Sequence, residues 1–99
     1  MLAYGYVKDY RYTGDGTFLV QTRIPAIHGP FRQDDYRGKL PRGYVQDADL
    51  PFFPSVILPH TPVEGEVVAL MTTNEKSTDF IIVGLTGGSY YTGATNIGG

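Results

Sequence analysis

The only histidines in the 99-residue chain are His28 and His60, and there is no cysteine. Their nearest carboxylates along the sequence are Asp34, Asp35 and Glu64. A metal centre needs imidazole and carboxylate groups that converge, with further partners orienting them, and no His-x-His or His-x-x-x-His spacing provides that start. The expectation is no metal and no cofactor, with His28 hydrogen-bonded within its own turn and His60 in an exposed one. Three acid pairs, Asp34 with Asp35, Asp47 with Asp49 and Glu64 with Glu66, have the residue types of glycoside hydrolysis, which sets two carboxyls across a cleft. They fall on predicted loops and turns, where acids serve local hydrogen bonding and solubility. There is no cysteine nucleophile, no Gly-x-Ser-x-Gly and no phosphate-binding loop, so the chain reads as non-enzymatic.

A second chemistry is recognition by aromatic and basic groups. Tyr4, Tyr6, Tyr10 and Tyr12 with Lys8, Arg11 and Arg23 form a pattern on which single-stranded nucleic acid stacks in some barrels. The net charge of -2 opposes it, because such grooves carry a basic surplus. The other readings are that these tyrosines pack in the fold, meet protein, or form an exposed aromatic surface for carbohydrate. Residues 28–42 form a long Arg-, Asp-, Gly- and Pro-rich excursion whose large anchors are Phe31 and Tyr36. A loop of this length in a small domain is usually functional or ordered by a partner. Arg37, Lys39 and Arg42 are placed to pair with Glu64, Glu66 or Glu75 of an adjacent subunit, and the competing reading is a solvated loop.

The elements that must position these groups are short. Ninety-nine residues make one domain with one modest core, and 13 Gly and 7 Pro break the chain into pieces too short for long helices. Without cysteine the fold rests on packing alone. The N-terminus lacks the basic start and apolar run of a secretory signal, and no stretch approaches membrane-spanning length. A soluble chain that remains in the cytoplasm where it is made is expected. Lys76 is the only basic residue in 48–99, so positive charge concentrates in the first half.

Residues 3–12 alternate, with Tyr4 and Tyr6 on one side and Ala3, Gly5 and Val7 on the other, and predict strand one. A turn at 13–17 leads into strand two at 18–24, where Phe18, Val20, Thr22 and Ile24 share one face and Leu19, Gln21 and Arg23 the other. Pro25 ends that strand. A third strand region lies within 43–58, with Val56, Ile57 and Leu58 as its apolar end and Pro51 and Pro54 marking an edge or bulge. A hairpin follows, from Val67-Val68-Ala69-Leu70-Met71 to Phe80-Ile81-Ile82-Val83, its second strand apolar on both faces. Val20, Ile24, Val67, Ala69, Phe80 and Ile82 are the expected core. The predicted fold is all-β: a small five-stranded OB-like Greek-key barrel over residues 1–88 with a long loop, followed by a Gly-rich extension over 89–99. An SH3-like barrel is the other architecture.

Read in order, several short motifs resemble the N-terminal OB domain of contractile-tail central spike proteins, found in bacteriophage baseplates and the related type VI secretion spike. Arg23-Ile24-Pro25-Ala26-Ile27-His28-Gly29-Pro30 looks like that family's exit from strand two. Leu40-Pro41 and Leu58-Pro59 look like its aliphatic-Pro steps around strand three. Pro62, Gly65-Glu66 and Val67 look like its entry to strand four, and Val83-Gly84-Leu85-Thr86-Gly87-Gly88 like its exit from strand five. The matches span about residues 3–90. The resemblance implies a non-enzymatic barrel, trimeric about the tail axis, linking the tube-side hub to the piercing needle.

Two departures shape the expectation. Arg42 stands where the family has Trp or a similar aromatic, and neither a cell-wall hydrolase domain nor a long repetitive β-helical segment follows the barrel. A piercing tip is therefore expected on another polypeptide. The resulting expectation is a structural adaptor of a phage contractile-tail baseplate, in the virion and, during assembly, the host cytoplasm. Its partners are hub and spike or tube proteins and its own copies, with no small-molecule substrate and no resting membrane contact. The expected partner-binding residues are Phe31, Arg32, Tyr36, Arg37, Lys39 and Arg42 in the loop and Tyr90 and Tyr91 in the tail. The alternative is a single-stranded nucleic-acid-binding OB protein.

Overall fold

In the computed structural model, which describes residues 2–31, 43–72 and 79–90, five strands form one sheet: β1 (Leu2–Gly14), β2 (Thr17–Arg23), β3 (Phe52–Pro54), β4 (Glu66–Thr72) and β5 (Phe80–Ser89). A four-residue helix, α1 (Pro25–His28), follows β2, and one 3₁₀ turn (Asp47–Asp49) precedes β3. The strand order is β3-β2-β1-β4-β5, with every neighbouring pair antiparallel. Three strands in sequence followed by a fourth that returns beside the first is a Greek key, and with β5 outside β4 this is the order of an OB-type barrel. The two edges meet through one parallel bridge, Ser55 to Ile82, where the Val56 amide donates to the Ile82 carbonyl at 3.0 Å. The sheet is thus curled but not closed.

Local chemistry explains the corners. Gly14 faces Thr17 across the first hairpin, leaving Asp15 and Gly16 as a two-residue turn with φ 55° and 81°. Asp-Gly is suited to this turn because both central residues need positive φ, and the resulting twist matches that of the strands. β1 serves two partners, with residues 2–6 paired to β4 and residues 6–14 to β2. Between Val7 and Asp9 its register with β2 shifts, so Lys8 is the extra residue of a β-bulge. On β3, Pro51 precedes the pairing and Pro54 ends it opposite Leu19, and this strand does lie at the sheet edge. Ser55 continues the contact with β2, its amide donating to the Phe18 carbonyl and its Oγ accepting from the Phe18 amide, both at 3.0 Å.

The core consists of Val7, Phe18, Val20, Ile24, Phe53, Leu58, Val68, Leu70, Phe80 and Ile82, with Ala3 and Leu85 against it. Each fully buried side chain of this size contributes about 1.5–3 kcal/mol. The faces expected for β1 before the bulge and for Phe18, Val20, Thr22 and Ile24 are those observed. Three details differ. β4 turns Val68 and Leu70 into the main core cluster, while Val67 is buried as expected but on the opposite face and Ala69 is half-buried, because its five central residues are all apolar and alternation carries no phase. β3 is three residues long, and Val56 and Ile57 beyond it are exposed while Leu58 enters the core. β5 runs on to Ser89, which pairs with Glu66, so residues 85–89 belong to the sheet.

Candidate partner-docking surface

The outward side of the sheet has two parts, divided near Arg23. By strand alternation Arg23 belongs outside with Leu19 and Gln21, yet its side chain is fully buried. The segments on either side of residues 32–42 fold back over it. Arg23 Nη1 donates to the His28 carbonyl at 2.7 Å, and Nη2 donates to the Val45 carbonyl and, at 2.8 Å, to Asp47 Oδ1. The Tyr44 ring covers the guanidinium at 4.5 Å, leaving Nε the one buried side-chain polar atom without a hydrogen bond among the described residues. Lys8, on the same outward side as Tyr4 and Tyr6, sits 3.8 Å above the Phe31 ring and pairs with Asp47 Oδ2 at 3.3 Å and Glu64 Oε2 at 3.9 Å. Burial pushes the Asp47 carboxyl up, but the hydrogen bond from Arg23 and the Lys8 ammonium outweigh it and hold it below its ordinary value.

Glycine is required where the returning segments touch. A Cβ on Gly29, whose φ is +92°, would lie 2.5 Å from Tyr44 Cδ2, so only glycine admits this contact. The Val45 amide then donates to the His28 carbonyl at 3.0 Å. His28 is buried, and its Nδ1 accepts from the Ile24 amide at 2.8 Å, the turn hydrogen bond expected from the sequence. His60 lies exposed, with Nδ1 3.0 Å from the Thr61 carbonyl and Nε2 3.4 Å from Glu66 Oε2. Glu64 and Glu66 thus have partners within the chain, while Glu75 lies outside the described residues.

Of the expected partner-binding residues, Phe31 and Tyr90 come together. Their ring centroids are 4.2 Å apart, and Tyr6 packs edge-on to both, at 5.4 Å and 5.6 Å. Phe31 is buried, so its ring anchors the start of the excursion. The Tyr90 amide donates to the Gly65 carbonyl at 2.7 Å, fixing the end of β5 to the entry of β4. Arg32, Tyr36, Arg37, Lys39, Arg42 and Tyr91 lie outside the described residues.

The second part of the outward side is apolar. Directly paired residues on antiparallel strands share a face, and the pairs Leu2 with Met71, Tyr4 with Ala69 and Tyr6 with Val67 alternate with inward-facing residues. Leu2, Tyr4 and Met71 are 55 %, 53 % and 46 % exposed, large values for apolar side chains set side by side. Tyr4, Gly5, Tyr6, Pro25 and Val67 line a groove of about 380 Å³ here, and exposed Ile27 stands on α1 beside Pro25. None of these residues is charged. Alternation in β1 pointed to Tyr4 and Tyr6, but Leu2 and Met71 joined them only through strand pairing.

The aromatic and basic residues considered for nucleic acid do not share one surface. Because the bulge at Lys8 reverses the alternation, Tyr4 and Tyr6 face outward, whereas Tyr10 and Tyr12 lie on the side of Phe18, edge-on to it at 5.8 Å and 5.3 Å. Arg23 is buried, Lys8 is ion-paired, and Arg11 stacks over Phe52 at 4.7 Å. Among the described residues, no group of three or more His, Asp or Glu gathers as a metal site.

Fold and surface together define a small all-β, OB-like module with an uncharged apolar outer face and a buried ion-pair cluster beside it. In comparisons with known proteins the chain matches no family model, no curated protein and no solved structure.

Proposed function

We propose that this module is a non-enzymatic structural adaptor that works by being held between other protein chains. The observation that carries this reading is the uncharged outer face of β1 and β4, where Leu2, Tyr4 and Met71 are about half exposed. Contiguous exposed apolar side chains on a small domain are a mark of protein contact. The setting follows from the sequence resemblance: the central baseplate of a phage-type contractile tail, where a trimer of such barrels joins the hub and tube to the spike. Of the residues that carry the resemblance, Leu40-Pro41 lies outside the described residues, and several others have definite places in the frame. Arg23 is the buried ion-pair centre, His28 and Gly29 shape the exit from β2, and Gly65 and Gly87 take positive φ at the entry to β4 and within β5. They have structural work in an OB-type frame, which supports the assignment.

The test is incorporation and mass. The chain should form a trimer, or co-purify with neighbouring tail proteins at defined stoichiometry, and Tyr4→Asp with Met71→Asp should abolish that association while leaving the barrel folded. A contact residue of this type is worth about 2 kcal/mol or more, roughly thirtyfold in affinity. Unaltered association in the double variant would overturn the docking surface. Tight, steeply salt-dependent binding of an oligonucleotide would instead favour the nucleic-acid alternative.

A further inference from the structure

We propose that His28 is a proton-operated latch: its neutral ring holds residues 24–31 against residues 43–47, and its protonation lets the two segments part while the barrel stays folded.

The ring's tautomer follows from its partner. A backbone amide only donates, so the Ile24 N–H that lies 2.8 Å from Nδ1 requires that nitrogen to be unprotonated, and the neutral ring carries its proton on Nε2. The Ile24 carbonyl in turn accepts from the amides of Ile27 and His28, so ring and backbone close one compact turn. The outer side of this turn is the joint itself. The His28 carbonyl accepts from both Arg23 Nη1 and the Val45 amide, and Gly29 lies against Tyr44.

Protonation acts on this joint twice. A second proton on the ring removes the acceptor for the Ile24 amide and leaves two donors facing each other. It also adds a cation beside a buried guanidinium. Among the described residues, the charged groups packed about the joint are Arg23 from β2, Lys8 from β1, Asp47 from the returning segment and Glu64 ahead of β4, with Tyr44 as the neutral cover. Asp47 already serves both Arg23 and Lys8, so among the described residues no carboxylate is left over for the imidazolium. Burial and the neighbouring Arg23 accordingly lower the His28 pKa below its ordinary value of 6.5. The sign follows from that direction: the closed joint is favoured above pH 6.5, where an open state would also be neutral, and is lost as pH falls from there toward the lowered value.

Amide hydrogen exchange on the intact chain, corrected for intrinsic rates, tests this between pH 7.5 and pH 5. The protection of Ile24, Gly29 and Val45 should fall by up to about tenfold per pH unit below the ordinary histidine value, while Val20 and Leu70 in the barrel keep theirs. His28→Asn places an amide oxygen near the position of Nδ1 and should keep Ile24 protected at both pH values. His60→Asn should respond as the parent does. Unchanged protection in the parent at pH 5, or an equal loss in His28→Asn, would overturn the latch. Should His28→Asn fail to fold, the parent decides: the Ile24 amide resonance must titrate together with the His28 ring, and independent titration would overturn the proposal.

Discussion

At the residue scale, Arg23 shows how far a side chain's surroundings outweigh its place in the strand pattern. A guanidinium with no solvent exposure holds the carbonyl of His28 in the turn just after it and, 22 and 24 residues along the chain, the Val45 carbonyl and the Asp47 carboxylate. Its removal leaves the His28 and Val45 carbonyls without their donor beneath the residues that roof them while Asp47 stays in contact with water, so Arg23→Ala should cost about 1–3 kcal/mol in a denaturant titration. A loss below about 1 kcal/mol would mean that the cluster is dispensable. Asp47, more exposed, gives a pH signature instead. Its carboxyl is held below 3.8, so the stability it contributes is complete above that pH and is lost as pH falls through the lowered value. The carboxyl resonance should titrate with a midpoint below 3.8, and Asp47→Asn should remove that part of the acid unfolding curve. None of this was legible in the sequence. Arg23 falls on the polar side of a clean alternation, and the roof over it comes from residues 25–31 and 43–47, which no local pattern joins to β2.

At the element scale, strands were readable where polar and apolar residues alternate and unreadable where they do not. β1 ahead of its bulge and β2 declare their faces, and Asp15-Gly16 declares the hairpin between them. β4 is apolar at every central position, so its phase is set by pairing with β1 and β5 alone. Leu70→Ala should therefore destabilise the fold by about 2–5 kcal/mol, whereas Met71→Ala, on the exposed side of the same strand, should change stability by less than about 0.5 kcal/mol. Equal effects would reverse the assignment of faces. β3 was hidden because three paired residues, the last of them Pro54, give no periodic signal, and the bulge at Lys8 because that position has no glycine or other marker. The candidate surface suffered most from these gaps. The bulge splits the tyrosines of β1 between two sides, and the apolar face forms only when β4 is laid beside β1. Gly5 is a further test of this packing, since a Cβ there would lie 2.6 Å from Thr22 Cγ2 and 2.9 Å from the Arg23 carbonyl. Gly5→Ala should cost about 1–3 kcal/mol by overpacking, read from the thermal midpoint.

At the scale of the whole molecule, the class of fold was legible from strand count, turn chemistry and the long connection after strand two, while the state of its seam was not. Closure depends on whether β3 and β5 keep pairing after their first contact, and among the described residues the Ser55 to Ile82 bridge is the one pairing between them. The Ser55 hydroxyl, which accepts from the Phe18 amide, holds the β3 side of that bridge to β2. Ser55→Ala should leave a buried amide unpaired, cost about 1–3 kcal/mol and raise hydrogen exchange at Val56 ahead of the other barrel amides. Simultaneous loss across the sheet would mean that the seam is no weaker than the rest. A tube slit along its length keeps much of its resistance to bending but gives way readily to torque. A body built this way, gripped at both ends, would pass a push along its axis and absorb a turn by letting the two lips of the slit slide past each other.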